Sequence, residues 1–354
     1  MPFITVPTHA IFREKKYFVQ SHEIATRQGS KDETNGIYIQ KRLHSTSING
    51  NVDMRCRTIN QSSIRRSRST VVDNEKDCSS HKSLNESCEV TQSQRILEKA
   101  KALLNPLENR LNRASRSVQK AFTLDKLVAA MLSYEDIVSN AEQPKINNLY
   151  DLLCNPCFLL IAYDEVKKNA AVGLDNVGGS NVTLSGLRTL SKELSSEQYK
   201  CIPVRRLYID KPQGGKRPLG VPSTRDKIVQ RAVQILLQSA FEHNFSEHSH
   251  GFRPNKSCHT ALSAIRKQGN RTTWFIELDL VKTFDKIHHV LLMNEIKVRI
   301  VDQQMIDLIH KMLKVGYINL HNLSDSKIEM VEGTPQGSIL SPLFANILFD
   351  RFDR

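Results

Sequence analysis

Apolar positions are sparse and without period from residue 1 to about 92, where Ser, Asn, Thr and Arg dominate, so residues 1–92 read as a flexible segment. From Ser93 the pattern changes. Ile96, Leu97, Ala100, Leu103 and Leu104 recur with the spacing of one helix face, and Pro106 interrupts that run by removing a backbone donor. Leu107, Leu111, Ala114, Val118 and Phe122 predict a second helix, along which Arg110, Arg113, Arg116 and Lys120 form a basic stripe. Such a stripe is either a solvated face or a contact to an anionic polymer. Residues 93–200 are therefore expected to be a helical extension.

Beyond it the period shortens. Leu207 and Ile209 alternate with polar neighbours, and Pro212-Gln213-Gly214-Gly215 supplies a turn, so residues 204–222 read as a hairpin. Folding back there is expected to bring Lys211 and Arg217 to one end of the ribbon, beside Arg205. Cations on a rigid hairpin suit a triphosphate, since Arg grips oxygens in pairs and Lys acts as a point charge; a generic basic ribbon lying on an RNA backbone fits the same residues. Ser223 then opens a helix whose buried side is Ile228, Val229, Ala232, Val233, Leu236, Leu237 and Ala240. Another helix, carrying Ala261, Leu262 and Ile265, leads into a strand in which Trp274, Ile276, Leu278 and Leu280 alternate with Phe275, Glu277 and Asp279. Asp279 ends a strand expected to be buried. A carboxylate there needs a cap, an ion pair or a hard cation.

Composition narrows the partners. With 50 Lys and Arg against 37 Asp and Glu, the 354-residue chain carries a net charge of +13 and a pI near 9.4, which favours an anionic polymer. Residues 54–72 hold Arg55, Arg57, Arg65, Arg66 and Arg68 and no acid, a composition shared by RNA-binding arms and organelle-targeting peptides. The 7 cysteines are odd in number and scattered, which argues against a secreted disulfide framework. Cys154 and Cys157 have zinc-type spacing without a matching second pair and read as buried thiols, and His243, His248 and His250 read as turn residues. The longest apolar run, residues 158–163, is far too short to cross a bilayer, so no membrane partner is expected.

Asp279-Leu280-Val281-Lys282-Thr283-Phe284-Asp285, followed by Thr334-Pro335-Gln336-Gly337, resembles the palm of a reverse transcriptase of the group II intron-encoded reverse transcriptase/maturase family. The resemblance runs from about residue 155 to residue 354, and Ser249-His-Gly-Phe-Arg-Pro-Asn-Lys-Ser-Cys-His-Thr-Ala-Leu262 is similar to the mitochondrial branch. It implies an α+β fold, with right-hand polymerase fingers and a partial palm in residues 201–354. The family places a Mg²⁺ ligand at Asp279, with the Leu280 carbonyl as a further oxygen, and an aromatic gate against the ribose 2′-hydroxyl at Phe284, where core packing is the alternative. Gln336 would line the nucleotide pocket and Gly337 would allow close backbone approach. Arg205, Lys211 and Arg217 would meet the dNTP phosphates, Arg253 and Lys256 template phosphates, and Arg110, Arg113 and Arg116 intron RNA. A mitochondrial location is implied, with the chloroplast as alternative.

The match departs at Val281, Lys282 and Lys286, where the family usually has Lys, Gly and Asn. The family's second carboxylate motif, Tyr-x-Asp-Asp, lies downstream of the position of Pro342, and no Asp-Asp dipeptide occurs in the 354 residues. Asp350 and Asp353 fall on the helix after the Pro-Gln-Gly turn and are not its equivalents. Primer extension is accordingly expected to need a second chain, or a continuation of this one, that completes the palm. A non-catalytic, maturase-like RNA-binding protein is the alternative.

Overall fold

The computed structural model describes residues 52–57, 85–210, 212, 214–269, 275–280, 282–319 and 328–354. In chain order they form β1 (Val52–Arg57), α1 (Asn85–Leu104), α2 (Glu108–Asn112), α3 (Arg116–Gln119), α4 (Leu124–Ser139), α5 (Leu149–Leu153), α6 (Pro156–Glu165) and α7 (Leu184–Ser195). Then come β2 (Val204–Asp210), β3 (Lys216–Val221), α8 (Thr224–Phe241), α9 (Cys258–Gln268), β4 (Phe275–Leu280), α10 (His289–Arg299), α11 (Gln303–Leu313), β5 (Tyr317–Asn319) and α12 (Ser341–Asp353). The chain divides into a larger unit, Lys76–Phe245 with Thr283–Leu348, and a smaller one, Met1–Glu75 with Ser246–Lys282 and Phe349–Arg354.

The larger unit is built on α8. Ser223 caps it by accepting from the Asp226 amide at 3.1 Å, and Ile228, Val229, Ala232, Val233, Leu236, Leu237 and Ala240 are all buried. This apolar face meets α4, α5 and α6, of which α6 contributes the buried Phe158, Leu159 and Leu160. Arg299, at the end of α10, donates to the carbonyls of Ala141 and Gln143, while Asp302 caps α11 and accepts from the Tyr150 amide at 2.8 Å. Both are buried, and both join the helical extension to residues more than a hundred positions downstream.

The second predicted helix of the extension is broken. Residues 105–107 form a 3-10 turn and Ser115 is extended, at φ −63° and ψ 152°, between α2 and α3. The Gln119 side-chain amide supplies the reason. It donates to the carbonyls of Leu111 at 3.1 Å and Ala114 at 3.2 Å, meeting acceptors that a continuing helix would have used. Arg110, Arg113 and Arg116 are all exposed, but they do not lie along one helix.

A three-stranded sheet of order β3-β2-β5 completes this unit, β2 pairing antiparallel with β3 and parallel with β5. In the smaller unit β4 pairs antiparallel with β1, Asp279 standing opposite Asp53. That strand falls inside the stretch expected to be flexible, most of which lies outside the described residues. α9 begins with a reciprocal capping box between Ser257 and Thr260, and it buries Ala261 but leaves Leu262 exposed. The end of α12 is tied within the same unit by Ser246, whose amide donates to Asp350 Oδ1 and whose hydroxyl donates to the Asp353 carbonyl, each at 3.1 Å.

Candidate nucleotide and nucleic-acid interface

Two glycines set the geometry of the larger unit's polar edge. Gly333 has φ +82° and Gly337 φ +110°, backbone conformations open to glycine and rare for other residues. A Cβ at Gly337 would stand 2.5 Å from the Gly220 carbonyl oxygen, and one at Gly333 would stand 2.6 Å from that of Asp285. The Gly220 amide donates to the Gln336 carbonyl at 2.6 Å, so the 335–337 turn is hydrogen-bonded to β3. On its other side the Gly333 and Thr334 amides donate to the carbonyls of Ile287 and Phe284, each at 2.7 Å. His289 closes the set by donating from Nε2 to the Gly333 carbonyl at 2.6 Å.

Side chains finish this lock. The Ser341 hydroxyl donates to the Pro335 carbonyl at 3.0 Å, and Gln230 of α8 accepts from Ser338 Oγ at 3.2 Å and from the Ile339 amide at 3.3 Å. Gln336, half-buried, donates from Nε2 to Asp285 Oδ2 at 3.4 Å, the long end of the hydrogen-bond range. Phe284 is half-buried. Sequence reasoning missed Gln230 and Asp285. The signal for Gln230 was a polar residue set into the apolar run of α8, where burial to 7% demands partners.

Of the hairpin cations, Arg205 and Arg217 are spread out, not gathered at one end. Arg205 pairs with Val221 near the base, whereas Arg217 pairs with Ile209 toward the exposed tip. Strand alternation puts both on one face but separates them by four residues, about 13 Å. Lys211 lies outside the described residues. Arg206, on the opposite face, sits 3.9 Å over the Tyr317 ring. At the base, Arg205 Nε is buried without a hydrogen-bond partner among the described residues, and the Lys227 ammonium donates to the Ala171 carbonyl. Burial lowers the pKa of Lys227, Asp175 opposes that effect, and Arg205 adds to it.

In the smaller unit Asp279 is exposed and Leu280 half-buried, so the carboxylate expected at the end of a buried strand is in water. Water already solvates it, and it needs no buried counter-charge. Trp274 and the side chains of residues 275–277 lie outside the described residues. Arg253 Nη1 donates to the carbonyls of Ser246 at 2.6 Å and Ser249 at 2.9 Å and so clamps the turn. Lys256 Nζ makes a longer bond of 3.4 Å to the Glu247 carbonyl. Arg110 donates to the Val182 carbonyl at 3.1 Å.

Among the described residues no group of three or more His, Cys, Asp or Glu side chains stands together as a metal site. One exposed carboxylate and one main-chain carbonyl fall short of the octahedral oxygen set that Mg²⁺ takes, so the described residues do not by themselves fit the ion. Nor is any described helix long and apolar enough to cross a membrane.

Residues 209–354 match the family model described as reverse transcriptase (RNA-dependent DNA polymerase). The chain is 40% identical over 199 residues to a putative COX1/OXI3 intron 2 protein of Saccharomyces cerevisiae, covering 55% of this chain and 23% of that protein. It is 41% identical over 212 residues to the group II intron-encoded protein LtrA of Lactococcus lactis subsp. cremoris, covering 58% and 34% of the two chains. Over 205 residues it is 28% identical to nuclear intron maturase 4, mitochondrial, of Arabidopsis thaliana, covering 58% and 25%. The chain thus spans between 23% and 34% of the length of these relatives.

Proposed function

We propose, on the premise that residues 209–354 are reverse transcriptase sequence of the group II intron kind, that this chain is the fingers and partial palm of a reverse transcriptase-like protein that engages intron RNA in splicing or mobility. The observation that carries the reading is the 335–337 turn hydrogen-bonded to β3, with no room for any side chain at Gly337. A nucleotide-facing wall must hold its shape before the ligand arrives, and this lock supports such a role for Gln336 and Gly337, and for Phe284, whose carbonyl accepts from the Thr334 amide. Arg205 and Arg217, on one face of the hairpin, suit an extended run of phosphates better than a single point. The net charge of +13 supports RNA as the partner, and the likeness to a mitochondrial maturase supports the mitochondrion as the place of action.

Reverse transcriptases use a divalent metal, and when bound it stabilises the charge that develops on the phosphoryl oxygens. We assign one of its carboxylates to Asp279, with Leu280 as neighbour and the remaining carboxylates supplied by polypeptide outside residues 1–354. A second reading, carried by the net charge of +13, is that the chain binds RNA without polymerase chemistry.

Primer extension by the purified chain in Mg²⁺, with and without a polypeptide carrying Tyr-x-Asp-Asp, separates the two. Extension that appears only on addition, and is lost in Asp279→Ala, is the expected result. Extension by the chain alone would overturn the assignment of the missing ligands. No extension in either case, alongside RNA binding that weakens steeply with salt and ignores Asp279→Ala, establishes the second reading.

A further inference from the structure

The outer faces of α10 and α11 carry a cluster of cations that the fold does not use. One side of α11, from Met305 to Leu313, is apolar and buried, which leaves Asp307, His310, Lys311 and Lys314 exposed on the other. α10 packs against this helix and adds the exposed Lys297. The positive charges crowd one another: burial, then Lys314, His289 and Lys297, hold the His310 imidazole below its usual pKa, and Asp307 opposes them. Asp307 is itself engaged, accepting from Gln303 Nε2 at 2.8 Å.

Other cations of the larger unit are spent on the fold. Lys227, Arg225, Arg231, Lys286 and Arg299 each donate to a carbonyl or a carboxylate. Lys297, Lys311 and Lys314 differ: among the described residues none of their ammonium groups has a hydrogen bond or an ion pair. Each gains from the C-terminal dipole of its own helix, but that gain does not require two helices to bring their cations together. Like charges held close repel, and an anion laid across them removes the repulsion.

We propose that this face of α10 and α11 binds the sugar-phosphate backbone of RNA, with Lys297, Lys311 and Lys314 as its phosphate contacts. The inference rests on the RNA-binding reading above and goes beyond it by naming a surface apart from the 335–337 turn and the hairpin. A lysine is a point charge that reads no base, so binding here is independent of sequence. The net charge of +13 favours a continuous polyanion as the occupant.

The full chain is titrated with a fluorescent RNA hairpin over a series of KCl concentrations. Lys297→Gln, Lys311→Gln and Lys314→Gln together should reduce the slope of log affinity on log salt by about 2–3, since each phosphate contact contributes about 0.7–0.9. The loss of affinity at about 50 mM salt should then exceed that at about 200 mM by about 20- to 40-fold. Arginine at the same three positions should restore the parent slope. Lys145→Gln, Lys192→Gln and Lys200→Gln together remove the same charge from exposed sites elsewhere in the unit and should change the slope by less than about 1. All three variants should melt close to the parent, because the side chains are exposed. An unchanged slope in the first variant, an equal change in the control, or no rescue by arginine would each overturn the proposal. RNA binding kept while polyglutamate binding is lost would give the patch to an acidic polypeptide and overturn it too. If the unsubstituted chain binds no RNA, it is the RNA-binding reading that fails, and this proposal with it.

Discussion

The 335–337 turn and the end of β4 both lie in the stretch that matches the reverse transcriptase model, yet they are held in opposite ways. Around the turn, amides of Gly220, Gly333, Thr334 and Ile339 all have acceptors, and two glycines stand where a methyl group would strike backbone. At the end of β4, Asp279 is exposed, and two residues after Leu280 the chain passes through Lys282 at φ +57°. The first region is fixed by sterics internal to the fold. The second is a carboxylate left hydrated, which is the inexpensive state for a group whose partner is not part of the fold. Stability should therefore be sensitive to the turn and nearly indifferent to the aspartate.

The largest effect is expected at Gly337→Ala. The added methyl meets the Gly220 oxygen and the residue must also hold φ +110°, so unfolding free energy should fall by about 2–4 kcal/mol. Gly214→Ala is the matched control, since φ +86° strains it equally in kind but nothing lies within 4 Å of the new Cβ. Its loss should be about 1 kcal/mol. Thermal melts of the two decide it: equal shifts would mean that backbone strain alone, and not the interlock with β3, sets the penalty.

One layer deeper, Asp226 holds the chain as it enters β2. It is buried and accepts from the Tyr199 hydroxyl at 2.5 Å and the Ile202 amide at 2.9 Å. Asp226→Asn turns an amide toward one of these donors and should lower stability by about 1–3 kcal/mol. Burial pushes the Asp226 carboxyl above its usual 3.8, against the pull of Tyr199, Ile202, Ser223 and Arg225. The folded chain then keeps a proton that the unfolded chain has already released. The stabilisation from this group is whole below pH 3.8 and declines as pH rises through the raised value. Urea unfolding across that window should show the decline in the parent and not in Asp226→Asn.

The apolar face of α8 was legible from the sequence because seven positions repeat at helical spacing and all seven are buried. The break at Ser115 was not, because it depends on Gln119 reaching back to carbonyls, a local competition that periodicity does not record. The turn between β2 and β3 was visible in Pro212-Gln213-Gly214-Gly215, yet the separation of Arg205 from Arg217 follows from register. Arg253 shows the same limit: its sequence context marks a basic turn, and only the structure shows Nη1 spent on Ser246 and Ser249. Residue type announces a chemistry, while the count of free donors is a tertiary property.

At Lys282, where the pattern that the sequence resembles usually has Gly, the backbone gives the difference a physical consequence. A side chain at φ +57° carries strain that glycine does not. Lys282→Gly should raise stability by about 1 kcal/mol, less the entropy of the freer unfolded chain. A melt that moves down instead would mean that the lysine side chain has a compensating contact, and the contrast between a strained and a locked region would lose one of its supports.

The smallest effect, and the sharpest test of the comparison, is Asp279→Ala. An exposed carboxylate outside any buried network should change unfolding free energy by no more than about 0.5 kcal/mol. The substitution is therefore clean: any loss in primer extension with a complementing polypeptide reports on the carboxylate and not on a damaged fold. If instead Asp279→Ala destabilises as much as Gly337→Ala, the aspartate is engaged inside the folded chain. Its role would then be structural, and the assignment of a metal to it would lose the feature that made it attractive, an oxygen donor that the fold leaves available.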